Sequence, residues 1–313
     1  KHLRYHKQPP VASTLFDLLN LRRAIKRLHK KRNFSIVHCR SYITSLAGLW
    51  MKKKYGTRFI FDMRGFWADE RVEGQLWNLK NPLFFAIYRF FKKKEVEFLK
   101  GSDHVICLTE NAAKEISQWG VTTPITVIPC CVDVSHFDPA TVTEQQQALL
   151  KEELGIRPGD FTLMYLGSWG TWYMTAEMLS FFARLKQQNG NAKFLILSPE
   201  SVDLTNYSWA TDVVHRFVPR ANVPLYASIA SASVFFIKPT FSKKASSATK
   251  MGELLAMNVP IITNRGWGDV EEISHKTSIY FKDDVIGNWD CIQRTDTRSF
   301  CVKHLSLKAG INQ

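Results

Sequence analysis

The sequence predicts an α/β protein made of two doubly wound, Rossmann-like domains facing across a cleft. Short apolar runs of strand length alternate with longer segments of helical period, the pattern of a parallel sheet with crossover helices. The alternation stops at a polar stretch and restarts at Phe161. At 313 residues the chain can bury two cores of ordinary size.

In the first series, Leu15 to Lys31 is an amphipathic helix with Leu18, Leu19, Ile25 and Leu28 on one side. Phe34 to Cys39 is a strand, Tyr42 to Lys54 a helix, and Phe59 to Asp62 a strand. Pro82 to Leu99 is a long helix, followed by a buried strand from Val105 to Leu108, a helix from Asn111 to Trp119 and a strand from Ile125 to Ile128. The polar break contains Asp138 to Gln147, a helix ending at Gly155 and a turn at Arg157-Pro-Gly-Asp160.

The second series opens with the strand Phe161 to Leu166 and the helix Thr175 to Gln188. It continues through the strands Lys193 to Leu197 and Val213 to Phe217, the helix Pro224 to Ala230 and the strand Val234 to Ile237. A helix from Thr249 to Met257 and a buried strand from Val259 to Thr263 complete it. The expected division is a domain over 1–140, a linker over 141–160 and a domain over 161–313. Ligands of such folds bind at the carboxyl ends of the strands.

The formal charge is +14, with Lys and Arg concentrated early: Arg22, Arg23, Lys26, Arg27, Lys30, Lys31 and Arg32, then Lys52 to Lys54 and Lys92 to Lys94. Such clusters serve as solvated helix faces, or meet an anionic membrane face, an anionic substrate or nucleic acid. No nucleic-acid module is recognisable, so no nucleic-acid partner is expected. No apolar run is long enough to cross a bilayer and the start lacks a signal-peptide pattern. The expected location is cytoplasmic, with the basic helices offering peripheral attachment to the inner face of the plasma membrane. Cys39, Cys107, Cys130, Cys131, Cys291 and Cys301 show no metal-ligand spacing and read as free thiols; no metal site is expected.

The densest functional signal runs from Lys238 to Asp269, where a Ser-rich loop feeds a short helix and the helix returns into a strand. A helix N-terminus carries unpaired N–H groups and partial positive charge, so it can hold a phosphate. Lys250 adds a full charge there, and Glu253 lies one turn on. The segment resembles glycosyltransferase family 4 of the GT-B fold, in particular the bacterial surface-polysaccharide branch, whose motif reads roughly Pro-Ser/Thr-Lys-x-x-Glu-x-x-Ala-x-Gly-x-Pro-Ile. Ile128-Pro-Cys-Cys-Val-Asp133 with Phe137 resembles the element that closes the family's N-terminal domain. Tyr165-Leu-Gly-Ser-Trp-Gly-Thr-Trp-Tyr173 resembles the opening of its C-terminal domain. By this resemblance the first domain is the acceptor side and the second binds the donor. The family's first strand with its glycine-rich loop, and its last crossing helix, have no counterpart, and a chain beginning at Lys1 reads as a fragment.

Gly167, Ser168 and Gly170 follow a strand and precede a helix, where bare backbone can approach a pyrophosphate. Many family members place an Arg and a Lys just after this loop; here Ser168 and Thr171 stand instead, which moves the cationic role to Lys250, with Lys243 or Lys244 as further candidates. Glu253 matches the family's second glutamate, which faces the ribose, but Ala245 stands where the first would be. Sugar contacts are therefore expected from Ser246, Ser247 and backbone amides. Capping of the helix is the plainer role for these serines, and Ser247 is expected to do some of both.

Phe61-Asp-Met-Arg-Gly-Phe-Trp-Ala-Asp-Glu-Arg71 is the second dense cluster. Phe66 and Trp67 among its charges point to a partly buried, ordered loop. It resembles the family's Phe-Asp-x-Arg-Gly element, which implies that Asp62 and Arg64 orient an acceptor hydroxyl or its phosphate; Glu70 pairing with Arg64 is the structural alternative. His38 and Thr109-Glu110 match further family positions, but a hydrogen-bonded core histidine and a helix cap explain them as well.

The resemblance implies a hexosyltransferase-like enzyme that moves a sugar from a UDP- or GDP-linked donor to a glycan or lipid-linked acceptor in polysaccharide biosynthesis, with retention and without metal. The nucleotide-sugar is a substrate, so no cofactor is expected. Lys250, Asp62 and Arg64 are the candidate catalytic residues; Gly167, Ser168, Gly170, Ser246, Ser247, Lys250 and Glu253 are the candidate donor-binding set. A nucleotide-sugar epimerase on the same fold is one alternative, and a non-catalytic basic module for membrane or nucleic acid is another.

Overall fold

The structure is a computed structural model that describes His6, Gln8 and residues 12–312. Contacts divide the chain into two units, one ending at Val127 and the other beginning at Ile128. The first contains α1 (Ala12–Arg32), β1 (Ile36–Arg40), α2 (Ser41–Tyr55), β2 (Arg58–Asp62), α3 (Trp67–Glu73), α4 (Pro82–Gly101), β3 (His104–Cys107), α5 (Glu110–Gln118) and β4 (Ile125–Val127). Its sheet is parallel throughout, in the order β1-β2-β3-β4.

Local chemistry sets these boundaries. Gly56 ends α2 in the left-handed region with its N–H on the Lys52 carbonyl. The Asn81 side chain caps α4 ahead of Pro82, and Thr109 caps α5 by accepting from Ala112 N at 3.1 Å. Phe59, Phe61, Val105 and Cys107 alternate into the core. Against them α2 packs so closely that a Cβ on Gly48 would lie 2.6 Å from both the Cys39 sulfur and the Phe59 ring.

Two details depart from the periodicity. In α1, Leu18 and Ile25 are half-buried but Leu19 and Leu28 are exposed, because the helix packs mainly on α2; Leu15, Leu18 and Leu19 line a shallow groove with Leu46, Ala47 and Trp50. Helix α3 has no apolar stripe to announce it. It is anchored at its start by Phe66, fully buried, and by Trp67, which packs on Tyr42 and Phe91.

The second unit contains α6 (Glu144–Glu153), β5 (Phe161–Leu166), α7 (Thr175–Gln188), β6 (Ala192–Leu197), β7 (Val213–Arg216), α8 (Val223–Ile229), β8 (Ala232–Val234), α9 (Thr249–Ala256) and β9 (Ile261–Thr263). After these come α10 (Val270–Ser274), β10 (Ile279–Phe281), α11 (Lys282–Val285), α12 (Arg298–His304) and α13 (Leu307–Ile311). The stretch 141–160 holds α6, which starts with a capping box between Thr143 and Gln146 and packs on α8.

Six parallel strands run in the order β10-β9-β8-β5-β6-β7. From β5 the chain builds outward to β6 and β7, then crosses to β8 on the other side. The β5/β8 boundary is therefore a topological switch point, and its carboxyl edge is where this architecture opens a crevice.

Helix α9 is held at its C-terminal end. Arg294 donates to the Met257 carbonyl at 3.2 Å and, at the end of α8, to the Ala230 carbonyl at 2.6 Å. Arg298 donates to the carbonyls of Ala256 and Phe137 and pairs with Asp138 at 2.7 Å. These guanidiniums satisfy carbonyls that a helix end leaves without internal partners. Among the described residues no helix is long and apolar enough to cross a membrane.

Candidate functional site

Residues of chemical interest gather at one place in each unit. In the second unit the place is the carboxyl end of β5, beside the switch point. Gly167 follows the strand at φ +121°, a backbone conformation that side chains disfavour. A Cβ there would lie 2.7 Å from Lys250 Nζ. The bare glycine is thus what lets the amine approach the loop. Gly170 and Thr171 also have positive φ, and the Trp169 N–H donates to Glu200, which in turn accepts from Ser198. Ser168 is exposed, and its carbonyl accepts from the Tyr165 hydroxyl.

Lys250 sits in the first turn of α9 and is 8 % exposed. Its Nζ lies 3.8 Å from the Tyr173 ring centroid, 4.5 Å from that of Tyr165 and 5.3 Å from that of Phe235. No hydrogen-bond acceptor among the described residues reaches it. Burial lowers its pKa to about 7, while the nearby Glu253 carboxylate pulls the other way. Ring faces also favour the ammonium, by about 2 kcal/mol for a desolvated contact. A buried amine without an acceptor is rare in native proteins and marks a position with a role beyond stability.

Glu253, one turn on and 6 % exposed, forms an ion pair with Arg220, whose side chain is 60 % exposed. Ser247 does not cap α9. The N-cap position falls on Ala248, no side chain caps the helix, and the Ser247 hydroxyl instead accepts from Cys130 N at 3.0 Å. The expected capping role is corrected on that geometry: the serine lies one residue too early to reach the first-turn N–H groups. Ser246 is half-buried, its N–H on the Lys243 carbonyl. Lys243 is buried under Trp172, its Nζ 3.6 Å from the ring centroid, and Lys244 is exposed beside Phe241.

In the first unit the place is the loop after β2. Asp62 ends the strand and is 8 % exposed. Its Oδ1 has no hydrogen-bond partner among the described residues, and its Oδ2 lies 3.5 Å from Nε2 of the exposed His38. Arg64 at φ +60° and Gly65 at φ +133° turn the chain sharply, a strained conformation for an arginine. A buried network fixes the turn. Tyr42 donates to the Gly65 carbonyl at 3.3 Å and to Glu95, and Lys92 bridges Glu95 to Asp69, the latter at 2.7 Å. Burial raises the Glu95 carboxyl. On Lys92 burial acts downward, but the two carboxylates outweigh it and hold the ammonium above its usual value.

The structure brings Gly167 and Lys250 together, sets Glu253 against Arg220 and ties Ser247 to the Cys130 backbone. Asp62 and Arg64 share the other unit's loop with His38 nearby. Sequence reasoning missed Arg220, which lies in no motif, and the roles of Tyr165 and Tyr173, whose flanking of the glycine loop was the available signal. It also missed Glu95 and Lys92, hidden in a basic helix. No group of three or more His, Cys, Asp or Glu suited to a metal occurs among the described residues.

The fold of the chain is similar to that of solved GT-B glycosyltransferases. Sucrose-phosphate synthase from Thermosynechococcus elongatus matches with a TM-score of 0.75 at 13% identity, over 100% of this chain and 80% of its own. A glycosyltransferase from Rickettsia africae matches at 0.70 and 16% identity, over 100% and 82%. HepE from Anabaena, in complex with UDP-glucose, matches at 0.65 and 10% identity, over 95% and 80%. No curated protein sequence matches the chain. Residues 2–136 match the model of Glycosyltransferase Family 4, and the protein is a glycosyltransferase.

Proposed function

We propose that the second unit binds a nucleoside-diphosphate sugar by its diphosphate and that the first unit presents a glycan or lipid-linked acceptor. The observation that carries this reading is the buried, unpartnered Lys250 amine beside Gly167, at the switch point and in the first turn of an uncapped helix. A diphosphate there accepts hydrogen bonds from the Lys250 ammonium and from the first-turn N–H groups of α9. Glu253 turns to the ribose hydroxyls, and Ser246 and the Ser168 loop lie along the sugar. UDP is favoured over GDP because HepE, which shares the fold, is described with UDP-glucose and with UDP and glucose.

In this mechanism the C-terminal unit stabilises charge on the departing diphosphate as the glycosidic bond breaks, so Lys250 contributes most in the transition state. The leaving phosphate takes the proton of the acceptor hydroxyl, which Asp62 and Arg64 orient, and the sugar keeps its anomeric configuration without a metal. Attachment to an anionic membrane face belongs to the same proposal. In support, α1 carries the basic cluster, and α4 exposes Leu83, Phe85 and Phe90 near Lys93 and Lys94.

Calorimetric titration with UDP and GDP tests the donor site, with circular dichroism confirming folding. Lys250→Ala is expected to lower turnover more than nucleotide affinity, and Glu253→Gln to weaken binding by about 1–3 kcal/mol. Folded variants that both bind like the parent would place the donor elsewhere. Changing Lys26, Arg27, Lys30 and Lys31 to Glu should weaken binding to anionic vesicles and leave nucleotide affinity unchanged; equal loss of both contradicts the membrane assignment.

A further inference from the structure

The pocket around Lys250 supplies almost nothing to balance an ammonium. From β5 comes Tyr165, its hydroxyl committed to the Ser168 carbonyl, and from the following loop comes Tyr173. Burial raises both phenols, so both are neutral at physiological pH. Phe235, beyond β8, adds a third ring. Glu200 acts on the Tyr165 side but its carboxylate accepts from Trp169 N and Ser198. On the helix itself the carboxylate of Glu253 is engaged by Arg220. The Ser247 hydroxyl before the helix accepts from Cys130 N. An ammonium brings three donors into this space and finds no acceptor, whereas a neutral amine is held at much lower cost.

We propose that Lys250 is a neutral amine in the ligand-free protein and is protonated when a diphosphate enters, so that donor binding and uptake of one proton at Lys250 Nζ are a single linked event. The inference rests on the donor reading above. The step is a simple protonation: the amine lone pair takes a proton from solvent, no bond of the ligand changes, and the proton returns to solvent as the nucleoside diphosphate leaves. The diphosphate oxygens supply the acceptors that the pocket lacks, and the ring faces hold the cation in place once it forms.

The depression of Lys250 to about 7 agrees with this geometry. A group protonated only in the complex reduces apparent affinity by the fraction already protonated in the free protein. With that value, affinity falls about eightfold between pH 7.5 and 8.5. Over this range the terminal phosphate of a free nucleotide, with a pKa of about 6, is already ionised and contributes little.

The test is titration calorimetry of the full chain with UDP, and separately GDP, at about pH 8.2 in two buffers of different ionisation enthalpy. The dependence of observed heat on buffer counts the protons exchanged. The parent is expected to take up more than half a proton per nucleotide, and Lys250→Arg, which is always charged, close to none. Binding of either nucleotide with less than half a proton overturns the coupling and leaves the donor site standing. Binding of neither overturns the donor reading and the coupling with it. Lysine 13Cε NMR of the parent gives a readout independent of any variant. One resonance should titrate with a midpoint below about 9 without ligand and move to the ammonium position when nucleotide is added at pH 8.2; absence of such a resonance also overturns the proposal.

Discussion

Lys92→Met removes the cation that bridges the buried Glu95 carboxylate and the half-buried Asp69 carboxylate. Glu95 is 0 % exposed, and Lys92 lies 2.7 Å from Asp69. At an effective dielectric of about 20, one contact at this distance is worth about 6 kcal/mol of direct attraction. Desolvation of Lys92 cancels part of it, which leaves the range of about 3–5 kcal/mol observed when one partner of a buried pair is deleted. For a unit of this size the loss lowers the melting temperature by about 10–20 °C. The sign of the pH dependence follows from Glu95, whose carboxyl is already raised by burial. An acid raised in the folded state favours folding when protonated, so the variant is most stable below the unfolded value of about 4.3 and loses stability as pH rises toward the folded one. The penalty should therefore be smaller at pH 5 than at pH 8, and Lys92→Met with Glu95→Gln should recover most of it at pH 8. Urea unfolding followed by amide exchange in peptides of the first unit separates its transition from that of the second. A loss under about 1 kcal/mol, or one equal at both pH values, would refute the reasoning.

Gly167→Ala should cost about 1–3 kcal/mol in backbone strain, and its methyl should push Lys250 Nζ away, weakening UDP or GDP binding at least tenfold; a melting curve and a calorimetric titration read the two effects, and parental affinity would separate the glycine from the anion pocket. Cys39 and Cys301 are pushed up to about 11 and about 12 by burial, so in the native protein at about pH 8 a maleimide should label the half-buried Cys130, Cys131 and Cys291 first; mass spectrometry of partly labelled protein showing Cys39 or Cys301 modified early would contradict the packing.

Much of the fold was legible because its strands are short, apolar and bounded by turns: Phe161 to Leu166 and Thr175 to Gln188 occur where the pattern placed them. Helix α3 was not, since seven residues with four charges carry no stripe, and its position depends on what Phe66 and Trp67 touch. The motif around Lys250 pointed to an anion site, but the aromatic enclosure comes from β5, its following loop and the chain beyond β8, a juxtaposition that sequence spacing does not encode. Ser247 shows the limit in the other direction. A one-residue shift in where α9 begins moved its hydroxyl from the helix end to the Cys130 backbone.

The clasp of Arg294 and Arg298 on the carbonyl end of α9 determines which parts of the proposed donor pocket can adjust. With four of their hydrogen bonds ending at Met257, Ala256, Ala230 and Phe137, sliding or tilting the helix means breaking charge-assisted contacts at its far end. The helix acts as a fixed wall, and fitting a ligand falls to the opposite side: the loop from Gly167 to Tyr173 and the exposed arm of Arg220. A chain cut before Arg294 would lose that wall's anchor while keeping Gly167, Lys250 and Glu253 of the proposed site, and should bind nucleotide worse through looseness alone.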